Sequence, residues 1–112
     1  MPSLPLEIDV RTTKQMLDRG ETFILLDCRE ASEVAAASIA GSIHIPMGKI
    51  PARLAELEPH KAERVIVHCH HGGRSMRVTQ FLRQQGFQQV QNMAGGIDAW
   101  SQEIDASVPR YE

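Results

Sequence analysis

The segment from Cys69 to Ser75 holds residue types whose order favours nucleophilic sulfur chemistry. It reads Cys-His-His-Gly-Gly-Arg-Ser and lies between an aliphatic run and a segment with helical spacing. Gly72 and Gly73 let the backbone turn tightly, including through positive φ values. A loop that curls into a helix N-terminus directs several backbone N–H groups at one point, where an anion binds. If the Cys69 sulfur occupies that point, we expect the pKa of its thiol to fall below the free value of about 8.5.

The polar side chains of this loop add charge around the thiol. Arg74 supplies a permanent positive charge, and His70 or His71 supplies a titratable one. We expect Arg74 to lower the pKa of Cys69 and to bind the anionic end of a substrate. The two histidines are expected to flank the mouth of the pocket, and Ser75 is placed to cap the following helix. The loop therefore predicts a thiolate that faces an anionic substrate.

Two other interpretations of the loop remain open. In the first, Cys69 is inert and buried beside ordinary turn glycines, because free cysteine is among the most buried residue types. In the second, the run from His68 to His71 ligates a metal ion. Neighbouring residues on an extended backbone point in opposite directions, and the sequence offers no second pair of ligands, so we expect no metal.

The distribution of charge agrees with an anion site but excludes some partners. Residues 59–93 hold five Lys or Arg residues and one acidic residue, although the whole chain has a net charge of −2. The alternative explanation for the basic stretch is a solvated helix face. The overall charge disfavours nucleic acid and anionic membrane surfaces as partners.

The composition is that of a soluble globular protein, with 42% hydrophobic and 23% charged residues in 112. Residues 1–112 are therefore interpreted as one domain. No uncharged apolar stretch approaches the length of about 20 residues that a membrane helix needs. The N-terminus lacks the basic and apolar regions of a secretory signal, so we expect a cytoplasmic location. Two cysteines, Cys28 and Cys69, are too few for a disulfide framework.

Strand and helix signals alternate along the chain. The pattern predicts an α/β fold in which a central, mainly parallel sheet of about five strands has helices on both faces. Predicted strands occupy residues 7–10, 23–27, 43–45, 64–68 and 87–93. The first predicted helix begins at a capping box of Thr12 and Gln15 and ends at Gly20. Four further helices are predicted over residues 31–37, 50–57, 75–85 and 97–103. Cys69 would then lie at the carboxyl end of a strand, where ligands bind in such sheets.

Four segments resemble those of single-domain rhodaneses, a family of sulfurtransferases. Asp27–Glu30 resembles the family's Asp-x-Arg-Glu, and residues 33–46 resemble its Gly-His-Ile-Pro-Gly-Ala-Ile-Asn-Ile-Pro segment. Cys69–Ser75 resembles its active-site loop, Cys-x-x-Gly-x-Arg-Ser, and Gly95–Trp100 resembles its closing Gly-Gly-x-x-x-Trp. The four segments keep the family's order and approximate spacing across nearly the whole chain.

The resemblance implies a rhodanese-like fold and a persulfide on Cys69. Sulfur would pass from a small anionic donor such as thiosulfate to cyanide or a cellular thiol, without a cofactor. The other residues of the loop would cradle the sulfur, namely His70, His71, Gly72, Gly73, Arg74 and Ser75. Asp27 and Arg29 are expected to brace this loop by hydrogen bonding. Gly95 and Gly96 would let their own loop pass close to it, and Trp100 is expected in the core.

The sequence departs from the family pattern at two places. The usual Gly-His-Ile-Pro reads Ala37-Ser38-Ile39-Ala40, in a segment whose role is structural rather than chemical. Position 28, usually apolar, is a second cysteine. We interpret Cys28 as a buried strand residue, and the alternative is a resolving thiol beside Cys69.

The length of the loop separates the possible functions. Four residues stand between Cys69 and Arg74, whereas phosphatases of the same fold carry five. The shorter loop favours sulfur transfer over a cysteine-dependent phosphatase or arsenate reductase. A non-catalytic regulatory module is disfavoured because Cys69, Gly72 and Arg74 are present. A carrier that hands persulfide sulfur to one dedicated acceptor protein remains open.

Overall fold

The computed structural model of the chain describes residues 4–111, and within them strands and helices alternate. The strands are β1 (Glu7–Ile8), β2 (Ile24–Asp27), β3 (Ile43–His44), β4 (Arg64–His68) and β5 (Gln89–Met93). The α-helices are α1 (Val10–Asp18), α2 (Ala31–Ala36), α3 (Gly73–Gln84) and α4 (Gly96–Glu103). In this described part of the chain, no helix is both long enough and apolar enough to cross a membrane.

The five strands form one sheet in the order β1-β5-β4-β2-β3. Each pairing found within residues 4–111 is parallel, so the predicted α/β fold is confirmed. Asp27 at the end of β2 stands beside His68 at the end of β4. Cys28 and Cys69 come directly after these two residues, and the Cys28 N–H donates to the His68 carbonyl at 3.1 Å. The two cysteines therefore lie side by side at the carboxyl edge of the sheet.

Side chains alternate along each strand, so the sheet has two apolar faces, and each face is covered by a buried cluster. Leu26, Val65 and Val67 pack with α3 in one buried cluster. Leu25 and Ile66 point the other way and join a second cluster with residues of α1 and α4. Trp100 is 4% exposed and belongs to that second cluster, so its predicted place in the core is confirmed.

The predicted start of the first helix was wrong by three residues. Helix α1 begins at Val10, and the Asp9 carboxylate accepts a hydrogen bond from the Thr12 N–H at 2.7 Å. Asp9 is therefore the N-cap, and the capping box of Thr12 and Gln15 does not form. Strand β1 ends at Ile8, two residues before the predicted end at Val10, because Val10 already belongs to the helix and Asp9 caps it.

The predicted helix over residues 50–57 was also wrong. The chain from residue 47 to 60 forms three short 3₁₀ turns: Met47–Lys49, Leu54–Glu56 and Glu58–His60. Most of the backbone bonds here join residues three apart, as from the Glu56 N–H to the Arg53 carbonyl and from the Leu57 N–H to the Leu54 carbonyl, and such turns stay short. Ile50 and Leu57 are nevertheless buried, so the apolar pattern marked residues that pack on the core without forming a regular helix.

Candidate active site

The Cys69 sulfur lies at the end of β4 and accepts hydrogen bonds from the loop after this strand. The Gly72 N–H donates to Sγ at 3.1 Å, and the Ser75 hydroxyl lies 3.3 Å from it. Gly72 has a φ of 113°, a conformation that favours glycine, and it immediately precedes the first residue of α3. The side chain of Cys69 is nearly enclosed, since the residue is only 2% exposed.

Hydrogen bonding decides the ionisation of this thiol. Burial of Cys69 by itself raises the pKa, because a thiolate loses solvation when water is excluded. The Ser75 hydroxyl and the backbone N–H groups of Ser75, Gly72 and Arg74 act in the opposite direction and outweigh burial. The pKa of Cys69 is consequently lowered from its ordinary value, which is the direction that the sequence led us to expect.

Ser75 does not cap the helix, contrary to the prediction. Helix α3 begins at Gly73, so Ser75 is its third residue and is completely buried. Its hydroxyl lies between the Cys69 sulfur and the side-chain carbonyl of Asn92. The helix starts earlier because Gly72 takes the left-handed conformation at the turn, and this places Ser75 where its hydroxyl reaches the sulfur.

The Arg74 guanidinium is paired with an acidic side chain. It donates two hydrogen bonds to the carboxylate of Glu33 in α2, at 2.6 and 2.7 Å. These bonds, together with one from the Tyr111 hydroxyl, lower the pKa of Glu33 to about 2. The charge of Arg74 is thus balanced by Glu33, and a direct contact between Arg74 and an anionic substrate stays a prediction.

Asp27 and Arg29 form a buried ion pair that supports α2 and not the Cys69 loop itself. The Arg29 guanidinium binds both carboxylate oxygens of Asp27, at 3.0 and 2.6 Å. It also donates to the backbone carbonyls of Glu33 and Ala37 and to the hydroxyl of Tyr111. The expectation was that this pair braces the loop by hydrogen bonding; the bonds of Arg29 go to α2 and Tyr111, and the pair thereby positions the helix that carries the partner of Arg74.

His70 is half-buried in the loop, and His71 is exposed. The His70 ring stacks on Tyr111 at 4.0 Å with an angle of 11° between the planes, and its other neighbour is His71, also at 4.0 Å. Burial and the nearby His71 lower the pKa of His70. The exposed His71 ring is 3.9 Å from the Asp98 carboxylate. Their suggested role at the pocket mouth stays a prediction.

His68 belongs to the interior, although it directly precedes Cys69. Its ring is fully buried, and Nε2 lies 3.3 Å from the Ser42 hydroxyl. Burial lowers the pKa of His68 to about 4, so this ring is neutral at physiological pH. It supplies no positive charge to the thiolate.

The start of α4 packs directly against the loop. A Cβ atom at Gly96 would lie 2.5 Å from the carbonyl oxygens of Cys69 and His70, so only glycine fits there. The absence of a side chain lets the N–H groups of Ile97 and Asp98 donate to those two carbonyls, at 2.9 and 3.1 Å. The expectation that this glycine segment allows a close approach is confirmed.

Cys28 is as buried as Cys69 but has a different set of partners. Its sulfur is a hydrogen-bond donor, 3.5 Å from the His68 carbonyl oxygen. Burial, the neighbouring Cys69 and Asp27 raise the pKa of Cys28 to about 12. Cys28 is therefore a neutral thiol at physiological pH, in agreement with its interpretation as a buried strand residue.

Sequence reasoning missed Asn92, Glu7 and Tyr111. Asn92 is 1% exposed, and its amide nitrogen donates to the Glu7 carboxylate at 3.1 Å and to the Gly72 carbonyl at 3.2 Å. A polar residue near the carboxyl end of β5 was the available signal for Asn92, although β5 reads Gln-Val-Gln-Asn-Met and holds two other amide residues. Glu7 and Tyr111 carried no such signal, because their contacts depend on the folded chain.

This geometry supplies one activated sulfur nucleophile in a ring of N–H and O–H donors. The same donors stabilise a negative sulfur each time it forms, whether as the attacking group or as the leaving group. The arrangement is therefore suited to reactions in which the Cys69 sulfur forms a covalent intermediate and is later released.

Comparison with known proteins supports this chemistry. The sequence profile of the rhodanese-like domain matches residues 9–103. A sulfurtransferase of Allochromatium vinosum is 37% identical over 95 residues, which cover 85% of this chain and 87% of that protein. The maize adenylyltransferase and sulfurtransferase MOCS3-2 is 38% identical over 93% of this chain, but the chain spans only 23% of its length. The crystal structure of a rhodanese-like domain protein from Staphylococcus aureus has a TM-score of 0.81 and 27% identity, covering 96% of this chain and all of that one.

Proposed function

Because the chain belongs to the rhodanese-like domain family, which includes the sulfurtransferase it resembles, we propose that it transfers sulfane sulfur through a persulfide on Cys69. The observation that carries this proposal is the position of the Cys69 sulfur, which accepts hydrogen bonds from the Gly72 N–H and the Ser75 hydroxyl. These two donors favour the thiolate form of Cys69. The proposed reaction uses no metal and no cofactor.

In the first half-reaction, the Cys69 thiolate attacks the outer sulfur of a donor such as thiosulfate. A sulfur–sulfur bond forms to Cys69 while the sulfur–sulfur bond of thiosulfate breaks. The electron pair of the broken bond leaves with sulfite. The outer sulfur, now terminal on the persulfide, carries the negative charge near the backbone N–H groups of residues 70 to 75.

In the second half-reaction, an acceptor removes the terminal sulfur. Cyanide or a thiolate attacks it, and the bond to Cys69 breaks with its electron pair returning to Cys69. Thiocyanate or a new persulfide leaves. The departing Cys69 thiolate is stabilised by the same donors that favour its ionisation before the first half-reaction, and these donors lower the pKa of this thiol in the folded protein.

The charged residues of the loop would act on the donor. Arg74 attracts an anion at the pocket mouth, although its pairing with Glu33 reduces the charge that a donor meets. His71 is exposed and His70 is stacked between His71 and Tyr111, and the two rings would discriminate among donors by size and hydrogen bonding. These roles make donor choice depend on Arg74, Glu33 and the two histidines together.

The physiological acceptor would be a cellular thiol or a dedicated acceptor protein in the cytoplasm. The maize relative is named for both adenylyltransferase and sulfurtransferase activities, and this chain matches only 23% of its length. Because Cys69 is only 2% exposed, a small thiol or a narrow segment of an acceptor protein would be able to reach its persulfide.

Steady-state kinetics with thiosulfate and cyanide test the proposal. We expect sulfite and thiocyanate in equal amounts and parallel double-reciprocal plots, which are the signature of a covalent intermediate. Cys69→Ser should abolish both products. If no sulfite is released and the protein instead hydrolyses a phosphate ester or reduces arsenate in a Cys69-dependent manner, the loop serves the phosphatase or arsenate reductase reaction and the proposal is wrong.

A further inference from the structure

The Ser75 hydroxyl stands between two hydrogen-bond acceptors. Its oxygen is 3.3 Å from the Cys69 sulfur and within hydrogen-bond distance of the Asn92 side-chain carbonyl. A hydroxyl group carries a single proton and cannot donate to both at once. The two acceptors therefore compete for the Ser75 proton.

The orientation of Asn92 makes this competition unavoidable. Its amide nitrogen donates to the Glu7 carboxylate and to the Gly72 carbonyl, and neither group can donate in return. A flipped amide would place the carbonyl oxygen of Asn92 against these two acceptors. Its Oδ1 must consequently face Ser75, where it can only accept.

Each protonation state of the sulfur selects one arrangement. A neutral Cys69 thiol can donate its own proton to the Ser75 oxygen while the Ser75 hydroxyl donates to Asn92. A Cys69 thiolate has no proton and accepts from Ser75, so the hydroxyl turns away and leaves Asn92 without that bond. The proton that Cys69 loses passes to solvent, and no covalent bond of Ser75 or Asn92 changes.

We propose that Asn92 is a positioning residue that withdraws the Ser75 proton from Cys69 whenever the sulfur is uncharged, as a thiol or as the inner sulfur of a persulfide. The inference rests on the proposed function only in taking Cys69 as the nucleophile. Asn92 would thereby make the thiolate less stable than its donors alone allow. A less stabilised thiolate is a stronger nucleophile, and the return of the proton to Asn92 favours formation of the persulfide.

The charged and titratable groups around the loop come from several elements. Arg74 is neutralised by Glu33, and Glu7 reaches the thiol only through the Asn92 amide. None of them contacts the Ser75 hydroxyl directly in the hydrogen bonds of residues 4–111. The titratable and charged groups in and around the loop are Glu7, Asp27, Cys28, Glu33, His68, His70, His71, Arg74, Asp98 and Tyr111. All of them are retained in the variants that test the proposal.

The proposal is tested by the pH dependence of Cys69 alkylation with iodoacetamide, followed by peptide mass spectrometry. Four proteins are compared: the wild type, Asn92→Leu, Ser75→Ala and the double variant. Asn92→Leu should lower the alkylation midpoint by about 0.5 to 1 pH unit, the size expected for one hydrogen bond. Ser75→Ala should raise it, and the double variant should lie at or above Ser75→Ala, because the lowering by Asn92→Leu requires the Ser75 hydroxyl, whereas loss of the Asn92 bond to the Gly72 carbonyl would only loosen the Gly72 donor. An equal shift from Asn92→Leu in both backgrounds, or no shift in either, would overturn the proposal.

A measurement on the wild type covers the case in which Asn92→Leu fails to fold. The ¹³Cγ resonance of Asn92 should change with pH at the midpoint of Cys69 alkylation, because its carbonyl loses a hydrogen bond at that point. The same resonance should not follow the thiol in Ser75→Ala. A flat titration in the wild type contradicts the proposal. Neither experiment uses a sulfur donor, so a chain that transfers no sulfur would fail the steady-state kinetic test and could still pass this one.

Discussion

Cys28 and Cys69 occupy matching positions at the ends of two neighbouring strands, yet their thiols are opposite in character. They are 1% and 2% exposed and belong to the same apolar cluster. The pKa of Cys28 is raised to about 12, whereas the pKa of Cys69 is lowered from its ordinary value. Burial is the same for both, so burial does not determine which sulfur reacts.

The difference lies in the backbone on the C-terminal side of each cysteine. After Cys69, Gly72 turns the backbone so that the first N–H groups of α3 and the Ser75 hydroxyl reach the sulfur. After Cys28, the next N–H belongs to Arg29 and donates to the Asp27 carboxylate at 3.0 Å. The N–H that follows Cys28 thus supports the Asp27–Arg29 ion pair, whereas an N–H of the loop after Cys69 bonds to the Cys69 sulfur. Four predictions test this contrast.

Replacement of each cysteine should separate the two most strongly. Cys69→Ser removes the proposed nucleophile, and we expect sulfur transfer to fall by about a thousandfold or more. Cys28→Ser is the matched control and should change the rate by less than about twofold, since Cys28 contributes no group to the reaction. The rate of sulfite release from thiosulfate measures both. Equal losses in the two variants would mean that the cysteines act as a pair.

Chemical labelling should distinguish the thiols in the wild type. At pH 8 iodoacetamide should modify Cys69 at least about a hundredfold faster than Cys28, because only the thiolate reacts and Cys28 holds almost none. In denaturant both should react at similar rates, since the contrast depends on the folded loop. Peptide mass spectrometry over a time course gives the two rates, and comparable rates in the folded protein would refute the assigned ionisation.

A methyl group at Gly96 should damage the Cys69 side alone. Gly96→Ala places a Cβ 2.5 Å from the carbonyls of Cys69 and His70, at a φ of 59°, so the loop must move. We expect a loss of about 2–4 kcal/mol in the free energy of unfolding and slower Cys69 alkylation. Gly48→Ala is the control, because a Cβ there meets nothing within 4 Å. Denaturant unfolding of both variants decides, and equal stabilities would show that α4 does not constrain the loop.

The Arg74–Glu33 pair should give the smallest effect, and its sign is set by pH. The pKa of Glu33 is lowered to about 2 by the Arg74 hydrogen bonds, from an ordinary value of 4.5. Its contribution to stability is therefore present above about pH 4.5 and is lost as the pH falls toward 2. Glu33→Gln should be about 1 kcal/mol less stable than the wild type at pH 6, and this gap should close in acid. Urea unfolding across this range is the measurement, and a gap that stays constant with pH would exclude the carboxylate as its cause.

The sequence was sufficient to predict the parallel sheet and the position of Cys69 within it. The aliphatic runs of β2 and β4 and the glycines after β4 are local signals, and local signals can be recognised without the fold. The position of Ser75 was not predictable in this way. Either Gly72 or Gly73 could have made the turn, and that choice decides whether Ser75 caps the helix or reaches the sulfur.

The partners of the loop were less predictable because they come from distant parts of the chain. Glu33 is 41 residues from Arg74, and Asn92 is 17 residues from Ser75. Charge and polarity mark such residues as able to bond, but the register of the sheet and the packing of α2 choose the partner. For the same reason the sequence suggested an unpaired Arg74, whereas the fold supplies Glu33.

Intact-protein mass spectrometry tests most directly whether Cys69 alone carries the transferred sulfur. Wild type, Cys69→Ser and Cys28→Ser would each be mixed with thiosulfate and measured before and after the addition of cyanide. We expect wild type and Cys28→Ser to gain the mass of one sulfur atom and to lose it to cyanide, while Cys69→Ser gains nothing. A gain that persists in Cys69→Ser, or is lost in Cys28→Ser, would contradict the assignment of Cys69 as the sole carrier.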